Sequence, residues 1–429
     1  MTPAHQAALE LDVERIATGG DGVARVDGAV IFVPRTAPGD RVTARVEMRR
    51  RFGRGHLEQV IAPGPDRIEP PCQHYRVDRC GGCQLQHLDY AAQLEAKRGM
   101  IRDALVRIAR RDVELPPIQP SPVQWRYRGK LTMGMQRRPS GEWVIGLHPY
   151  DDPVGIFDLR DCPITDERVL EIWRAIAAAH PHYPDEQALR ASVQIGEAGV
   201  AVTMEGGHHW PSRAEFFAAV PQATALWWKP PHRLRMLVAR RNAGGVEEGG
   251  PDASASFAQV NAGMGRALHE YTIALAMRHQ AARVVDAYAG VGGTAVPLAA
   301  HGATVTAIEF DRDAAAACGS ALPPPSRAVS GRVEDTLLDA LPADLVLLNP
   351  PRTGVDARVT TILQDAQQPP RAIIYTSCDP ATLARDLSRM PRYRIASVRA
   401  FDMFPQTAHV ETVCELVLDE GASSREAAA

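Results

Sequence analysis

Apolar and polar residues alternate in short runs across residues 7–61, in ALELDVERI, GVARVDGAVIFV, DRVTARVEM and GHLEQVI. The breaks between runs are GGDG, DG, PGD and FGRG. A period of two punctuated by Gly-rich turns predicts short, half-buried strands, and strands at this spacing predict a small OB-like β-barrel. Residues 62–71, APGPDRIEPP, carry four prolines in ten and read as a linker. The period then lengthens. Leu94, Ile101, Leu105 and Ile108 recur at helical spacing, which predicts a helix over about 89–111. YRGKLTMGMQ and WVIGLHP read as strands, residues 165–179 as a helix, and the GG and EEGGPD signals at 244–252 as a boundary.

From 253 to 418 strands alternate with Ala-rich helical segments. The strands are ARVVDAYAG, ATVTAIEF, ADLVLLNPP, RAIIYTSC, YRIASVRAFD and ETVCELVL. This alternation predicts a doubly wound, mostly parallel α/β sheet. The chain thus divides into 1–62 (barrel), 63–250 (a mixed α+β middle), 251–420 (the α/β sheet) and 421–429, GASSREAAA, a disordered tail.

At 429 residues the chain is long enough for two to four domains and at least one large core. Its 45% apolar and 23% charged residues are ordinary for a soluble protein. It contains no run of eighteen uncharged apolar residues, and its N-terminus lacks a basic region followed by an apolar core. The expectation is a cytoplasmic protein with no membrane association, and a monomer. The formal charge of −3 is unevenly spread. Residues 97–138 hold eleven Lys/Arg against three Asp/Glu, and MRRRFGR at 48–54 adds four arginines, a pattern that suits a polyanionic partner. Only three of the 48 cations are Lys, so compositional bias accounts for part of that excess. Of seven cysteines, Cys72, Cys80 and Cys83 fall within twelve residues, which in a reducing compartment points to metal rather than disulfides.

VVDAYAGVGGTAVPLAA reads as a strand, a Gly-rich turn and a helix, with Gly290, Gly292 and Gly293 permitting a tight turn and close ligand approach. Glu309 ends the next strand, where a carboxylate can accept hydrogen bonds from ribose hydroxyls. D-x-Y-x-G-x-G-G differs from the dinucleotide fingerprint and resembles the first motif of class I S-adenosylmethionine (SAM) methyltransferases; a NAD site and a plain turn stay open at this point. Asn349-Pro350-Pro351-Arg352 and Cys378, in YTSCDPATLARD, each end a strand and so face the same crevice. NPP is similar to the motif of amino-group methyltransferases, a rival reading that needs no cysteine. Ser377, Asp379 and Pro380 predict an exposed turn around Cys378, making its thiol a candidate nucleophile; Cys318 and Cys414 read as buried fillers. A thiol is required where the methyl acceptor is C5 of uracil, which becomes nucleophilic only once C6 carries a substituent.

FAQVN (257–261), the Gly-rich turn, LLNPPRTG, YTSCDPATLARD and DMFPQTAHVETV together resemble the 5-methyluridine RNA methyltransferases. GGDGVARVDGAVIFVPRTAPGDRV resembles their TRAM domain and CQHYRVDRCGGCQLQH their iron–sulfur motif, so the resemblance covers about residues 7–418. It implies a C-terminal Rossmann-like class I SAM methyltransferase, an N-terminal OB-like TRAM barrel and a central α+β iron–sulfur domain. By position it implies Cys378 as nucleophile and Glu411 as the base that removes the C5 proton. Gln259, Tyr288, Glu309 and Asn349 would then line the SAM site, and Cys72, Cys80, Cys83 and Cys162 would bind a [4Fe–4S] cluster. A structural zinc site is the alternative for the four cysteines. The chain departs from the family in having Asn349 for the usual Asp, Gly293 for a common Asn, and seven residues rather than five between Cys72 and Cys80. The implied substrate is RNA, 23S rRNA ahead of tRNA, with the target uridine flipped out or single-stranded. The stretch 97–138 is expected to follow phosphates, with Trp125, Tyr127 and Phe52 stacking on bases.

Overall fold

A computed structural model describes residues 7–49, 51–196, 199–242, 245–249 and 259–419. The expected tail at 421–429, Arg50 of the arginine run, Phe257 and Ala258, and residues 244 and 250–252 of the expected boundary at 244–252 lie outside the described residues.

Six strands form the first sheet: β1 (Ala7–Asp12), β2 (Arg15–Ile16), β3 (Gly22–Val26), β4 (Ala29–Val33), β5 (Arg41–Arg49) and β6 (Phe52–Ala62). Their order is β1-β5-β6-β4-β3-β2, and β1 also lies against β3, so the sheet curls around Leu11, Val13, Ala24, Ile31, Val33, Val42, Ala44 and Val46. The alternating pattern produces this core because every second residue of a strand faces the same side. The Pro-rich segment that follows is pinned rather than loose. Arg67 grips buried Asp40 at 2.6 Å, Ile68 N–H donates to His87 O, and the Gly64 N–H donates to Asp40.

The short helix α1 (Gln73–Arg76) leads into α2 (Tyr90–Ala104), which Asp89 caps by accepting from Ala92 N–H. A π-helical turn, Leu105–Ala109, extends α2 and ends at Arg110 in the left-handed region. This turn changes which residues face inward. Ile101, Leu105 and Ala109 are buried, whereas Ile108, expected on the apolar face, is exposed, because a wider turn takes more residues per revolution, so Ala109 rather than Ile108 returns to the face of Leu105. The central sheet comprises β7 (Lys130–Arg137), β8 (Trp143–Leu147), β9 (Phe157–Asp158), β10 (Ala188–Gly196), β11 (Gly199–Glu205), β12 (Ala225–Lys229), β13 (Met236–Asn242) and β14 (Gly245–Glu248). Its order is β14-β13-β12-β11-β10-β7-β8-β9, and α3 (Glu167–Ala178) and α4 (Arg213–Ala219) cover one face through Val169, Leu170, Trp173, Phe216 and Phe217.

The last sheet holds β15 (Arg283–Ala287), β16 (Thr304–Glu309), β17 (Arg327–Ser330), β18 (Leu345–Leu348), β19 (Ala372–Ser377), β20 (Tyr393–Phe401) and β21 (Glu411–Leu418). The helices around it are α5 (Ala262–Arg278), α6 (Ala295–Ala300), α7 (Arg312–Ala321), α8 (Val333–Ala340), α9 (Ala357–Asp365) and α10 (Pro380–Ser388). Strand order is β17-β16-β15-β18-β19-β21-β20, with the first five parallel and β21 antiparallel to both neighbours. Every residue of β18 and β19 is buried, as expected for strands covered on both faces. One core of this sheet also takes Ile101, Leu105, Ala109, Leu115 and Ile118 from α2 and the chain after it. These residues precede the central sheet in sequence yet pack with the C-terminal one.

Candidate functional site

Strand order reverses between β15 and β18, and in such sheets the crevice beyond the strands' carboxyl ends at that point is where ligands bind. The Gly-rich turn leaves β15 there. Tyr288, Gly290 and Gly292 all have positive φ (69°, 56° and 92°). A Cβ at Gly292 would stand 2.7 Å from the Cys318 sulfur, so that position admits only glycine without rearrangement. Glu309, at the carboxyl end of β16, accepts from Gly290 N–H (2.9 Å) and Asp311 N–H (2.8 Å), which ties the turn to the next strand. Asp286 is buried beneath the turn with Oδ2 unpartnered, and desolvation raises its pKa to about 7. Asn349 is exposed at the carboxyl end of β18, and Gln259 is half-buried against Gly265 at the start of α5. At Gly293 a Cβ would lie 2.8 Å from the His269 ring, so His269 occupies the space a side chain would take.

One strand further along, β19 ends at Ser377 and Cys378 follows. Ser377 pairs with Thr412 on antiparallel β21, so the next positions outward are Cys378 on one strand and Glu411 on the other. A parallel β21 would have placed Glu411 at the far end of the sheet. The turn at Cys378 is less open than expected: Ser377 and Pro380 are buried and Cys378 half-buried, because Asp379 caps α10 by accepting from Thr382 N–H and draws the chain inward. Burial pushes the Cys378 thiol up, and the Glu411 charge adds to this. Glu411 is itself 8% exposed and desolvation raises it to about 7. Arg352, exposed at the end of NPPR, acts on both groups in the opposite direction. Sequence reasoning missed that role, although a cation two residues beyond Pro350 at a strand's carboxyl end was a signal for it.

Cys72, Cys80, Cys83 and Cys162 line one cavity of about 110 Å³, together with His74, Gln86, Arg128 and Thr165. All four are free thiols. Gly82 N–H donates to the Cys80 sulfur (3.4 Å) and the Gln86 side chain hydrogen-bonds Cys83, contacts that stabilise negative sulfur. Burial raises Cys80 to about 11 and also raises Cys83 and Cys162, so a cation is needed to keep these thiolates. His74 is committed elsewhere, through Asp78 (2.7 Å) and Arg160 N–H (3.0 Å). Among the described residues, no three His, Cys, Asp or Glu side chains converge closely enough to hold one metal ion.

The expected RNA-facing surface is corrected in two respects. Residues 97–138 are not a continuous cationic face. Lys97 is fully buried, Arg98 donates to Leu115 O, and Arg111 donates to Leu387 O and Met390 O. These cations satisfy internal carboxylates and helix or loop carbonyls, and charge counting cannot detect that use. Arg102, Arg107, Arg110, Arg126, Arg137 and Arg138 are exposed. Tyr127 does not stack on bases: it is buried and its hydroxyl donates to Pro405 O (2.9 Å). Trp125 is half-buried beside the cysteines, while Phe52 is 44% exposed.

Comparison with known proteins agrees with this architecture. Residues 7–57 match the TRAM domain and residues 326–419 match the tRNA (Uracil-5-)-methyltransferase family. The chain is 32% identical to the 23S rRNA (uracil(1939)-C(5))-methyltransferase RlmD of Dechloromonas aromatica, over 91% of this chain and 95% of that one. It is 31% identical to an uncharacterized RNA methyltransferase of Thermosynechococcus vestitus, over 96% and 98%. The solved structure of Pyrococcus abyssi tRNA (uracil-54, C5)-methyltransferase in complex with S-adenosyl-L-homocysteine shares the fold, with a TM-score of 0.67 at 23% identity over 95% of this chain and all of that one. With an N-terminal TRAM barrel, a C-terminal class I SAM methyltransferase sheet and full-length relatives above 30% identity, the chain belongs to the RNA (uracil-5-)-methyltransferase family.

Proposed function

We propose that this protein methylates C5 of a uridine in RNA, with Cys378 as nucleophile and Glu411 as base. The observation that carries the reading is the antiparallel register of β19 and β21, which sets the two residues at facing positions beside the crevice. Gln259, Tyr288, Glu309 and Asn349 are assigned to SAM. The residues suit it, since Asp286 leaves a buried acceptor under the turn and Glu309 ends the strand next to that turn. When bound, SAM supplies an electrophilic methyl group on a sulfonium.

The Cys378 thiolate adds to C6 of the uracil, forming a C–S bond and moving the C5–C6 π electrons onto C5 and the O4 carbonyl. C5 can then accept the methyl group. The Glu411 carboxylate next takes the C5 proton, the electron pair restores the C5–C6 double bond, and the C6–S bond breaks to release the thiolate. Arg352 opposes the upward shift that burial imposes on both side chains and so favours their ionised forms.

Cys72, Cys80, Cys83 and Cys162 are assigned to a [4Fe–4S] cluster. Four thiols that line one cavity without any three converging on a single ion position suit a multi-iron cluster better than one zinc ion. The group would order the middle of the chain without entering the reaction. As substrate, 23S rRNA is favoured over tRNA by the full-length likeness to the Dechloromonas enzyme. Exposed Phe52 and Arg54 on the barrel, with the exposed arginines of 102–138, would meet the RNA. A soluble, cytoplasmic, monomeric enzyme is part of this reading. Among the described residues, no helix is long and apolar enough to cross a membrane.

The test is incubation with SAM and 5-fluorouridine-containing RNA. Fluorine cannot leave as a proton does, so a stable protein–RNA adduct through Cys378 is expected. Methylation that survives Cys378→Ala would instead favour amino-group transfer at Asn349.

A further inference from the structure

The loop from Asp402 to Val410 joins β20 to β21 and delivers the chain to Glu411. The segment that follows the Cys80–Cys83 pair grips this loop, more than 300 residues away in sequence. Gln84 N–H and Leu85 N–H both donate to Gln406 O (3.2 and 3.0 Å). Gln84 Oε1 accepts from Ala408 N–H (3.2 Å). Gln93, 1% exposed, accepts from Gln406 N–H through Oε1 (2.9 Å), while its Nε2 donates to Gln406 Oε1 (2.9 Å). Gln406 therefore has its N–H, its carbonyl and its side-chain oxygen all held by residues 84–93. It sits at φ 71°, a conformation that a non-glycine residue keeps only when its surroundings over-determine it. Gln84 also donates to Gly81 O (2.9 Å), so the same side chain touches both the cysteine turn and the loop.

The loop is buried along most of its length, Asp402, Met403, Gln406, Thr407 and Val410 included, so these partners and not solvent fix its path. The grip acts on the β21 side of the methyl-transfer site and leaves the β19 side, with Cys378, to the sheet itself. We propose that Gln84 and Gln93 are positioning residues that, by clamping Gln406, set Glu411 against the C5 proton and so tie the cysteine-bearing module to the last step of methyl transfer. This rests on the assignment of Cys378 and Glu411 above.

The two sides of the site predict separable defects. With full-length protein, SAM and unmodified uridine RNA, Gln93→Ala should lower kcat at least about tenfold, the loss expected when a catalytic group is misplaced by about an ångström or less. Because thiol addition and methyl acceptance are retained, a methylated, covalently attached protein–RNA band should accumulate on denaturing gels. Trapping by 5-fluorouridine RNA should proceed at the wild-type rate. Gln84→Ala, which removes one side-chain bond to the loop, should show the same pattern more weakly and serves if Gln93→Ala does not fold. Unchanged kcat in both variants, or equal loss of trapping and turnover in a variant that melts like the wild type, would overturn the proposal. Failure of the wild-type protein itself to form the fluorouridine adduct would strike the underlying assignment instead.

Discussion

Lys97 and Asp402 form an ion pair of 2.5 Å in which both side chains are fully buried. Lys97 also donates to Phe404 O (3.0 Å), and the Tyr90 hydroxyl donates to Asp402 (2.8 Å). The pair joins α2 to the loop that precedes Glu411, and both charges depend on each other for solvation. Removing one should therefore cost more than removing both. Lys97→Ala is expected to destabilise the fold by about 3–5 kcal/mol, with Lys97→Met plus Asp402→Leu recovering much of that loss in chemical denaturation. Equal losses in the single and double variants would show that the charges do not compensate each other.

Cys378 and Glu411 should fail differently. Cys378→Ala is expected to abolish turnover and adduct formation together, by at least about 10³-fold. Glu411→Gln should still form the bond to C6 and accept methyl, then stall, so denaturing gels should show a methylated adduct on ordinary uridine RNA. An adduct formed by Cys378→Ala would rule out the assigned nucleophile.

Burial raises Glu411 from 4.5 to about 7, with Arg352 opposing the shift. Proton removal needs the carboxylate, so below about pH 7 kcat should fall about tenfold per pH unit where this step limits the rate. The raised thiol of Cys378 demands higher pH as well, which steepens the same limb. Stability runs the other way for Glu411. Between pH 4.5 and 7 the folded chain holds a proton that the unfolded chain has released, so this group's contribution is full below 4.5 and is lost as pH rises through about 7. Profiles of kcat and of denaturation midpoint over about pH 5 to 9 should therefore slope in opposite directions across that window.

Gly292 sits at φ 92° with the Cys318 sulfur where a Cβ would go. Gly292→Ala is expected to cost about 1–3 kcal/mol and to weaken SAM binding, measured by thermal shift and calorimetry. Gly290 also has positive φ but has open space at its Cβ position, so Gly290→Ala should cost less.

If the four cysteines hold a cluster, replacing any one of Cys72, Cys80, Cys83 or Cys162 by Ser should lower iron content after anaerobic reconstitution and lower the melting temperature. Cys318→Ser should leave iron unchanged, because that thiol is buried against the glycine turn instead. Stoichiometric zinc in protein purified without oxygen would overturn the iron assignment.

The local alphabet of this chain was sufficient for much of its organisation. Alternation in GVARVDGAVIFV and LVLL-type runs set the strands, the glycines of DAYAGVGG set the turn, and the closeness of Cys72, Cys80 and Cys83 in sequence brought them around one cavity, because these properties depend on residues close in sequence. Distance along the chain decided the rest. That Lys97 is an interior ion-pair partner and Tyr127 a buried donor depends on which distant acceptors, Asp402 and Pro405, fold against them. That a π-helical turn exposes Ile108 depends on the packing of α2 against the C-terminal core. The decisive case is β21: its strand propensity was legible, but its direction was not, since period and propensity are the same read either way. Antiparallel pairing with β19 alone brings Glu411 to the end of the sheet where Cys378 lies, because in a sheet the partner strand, not the sequence of the strand itself, sets which end faces the crevice.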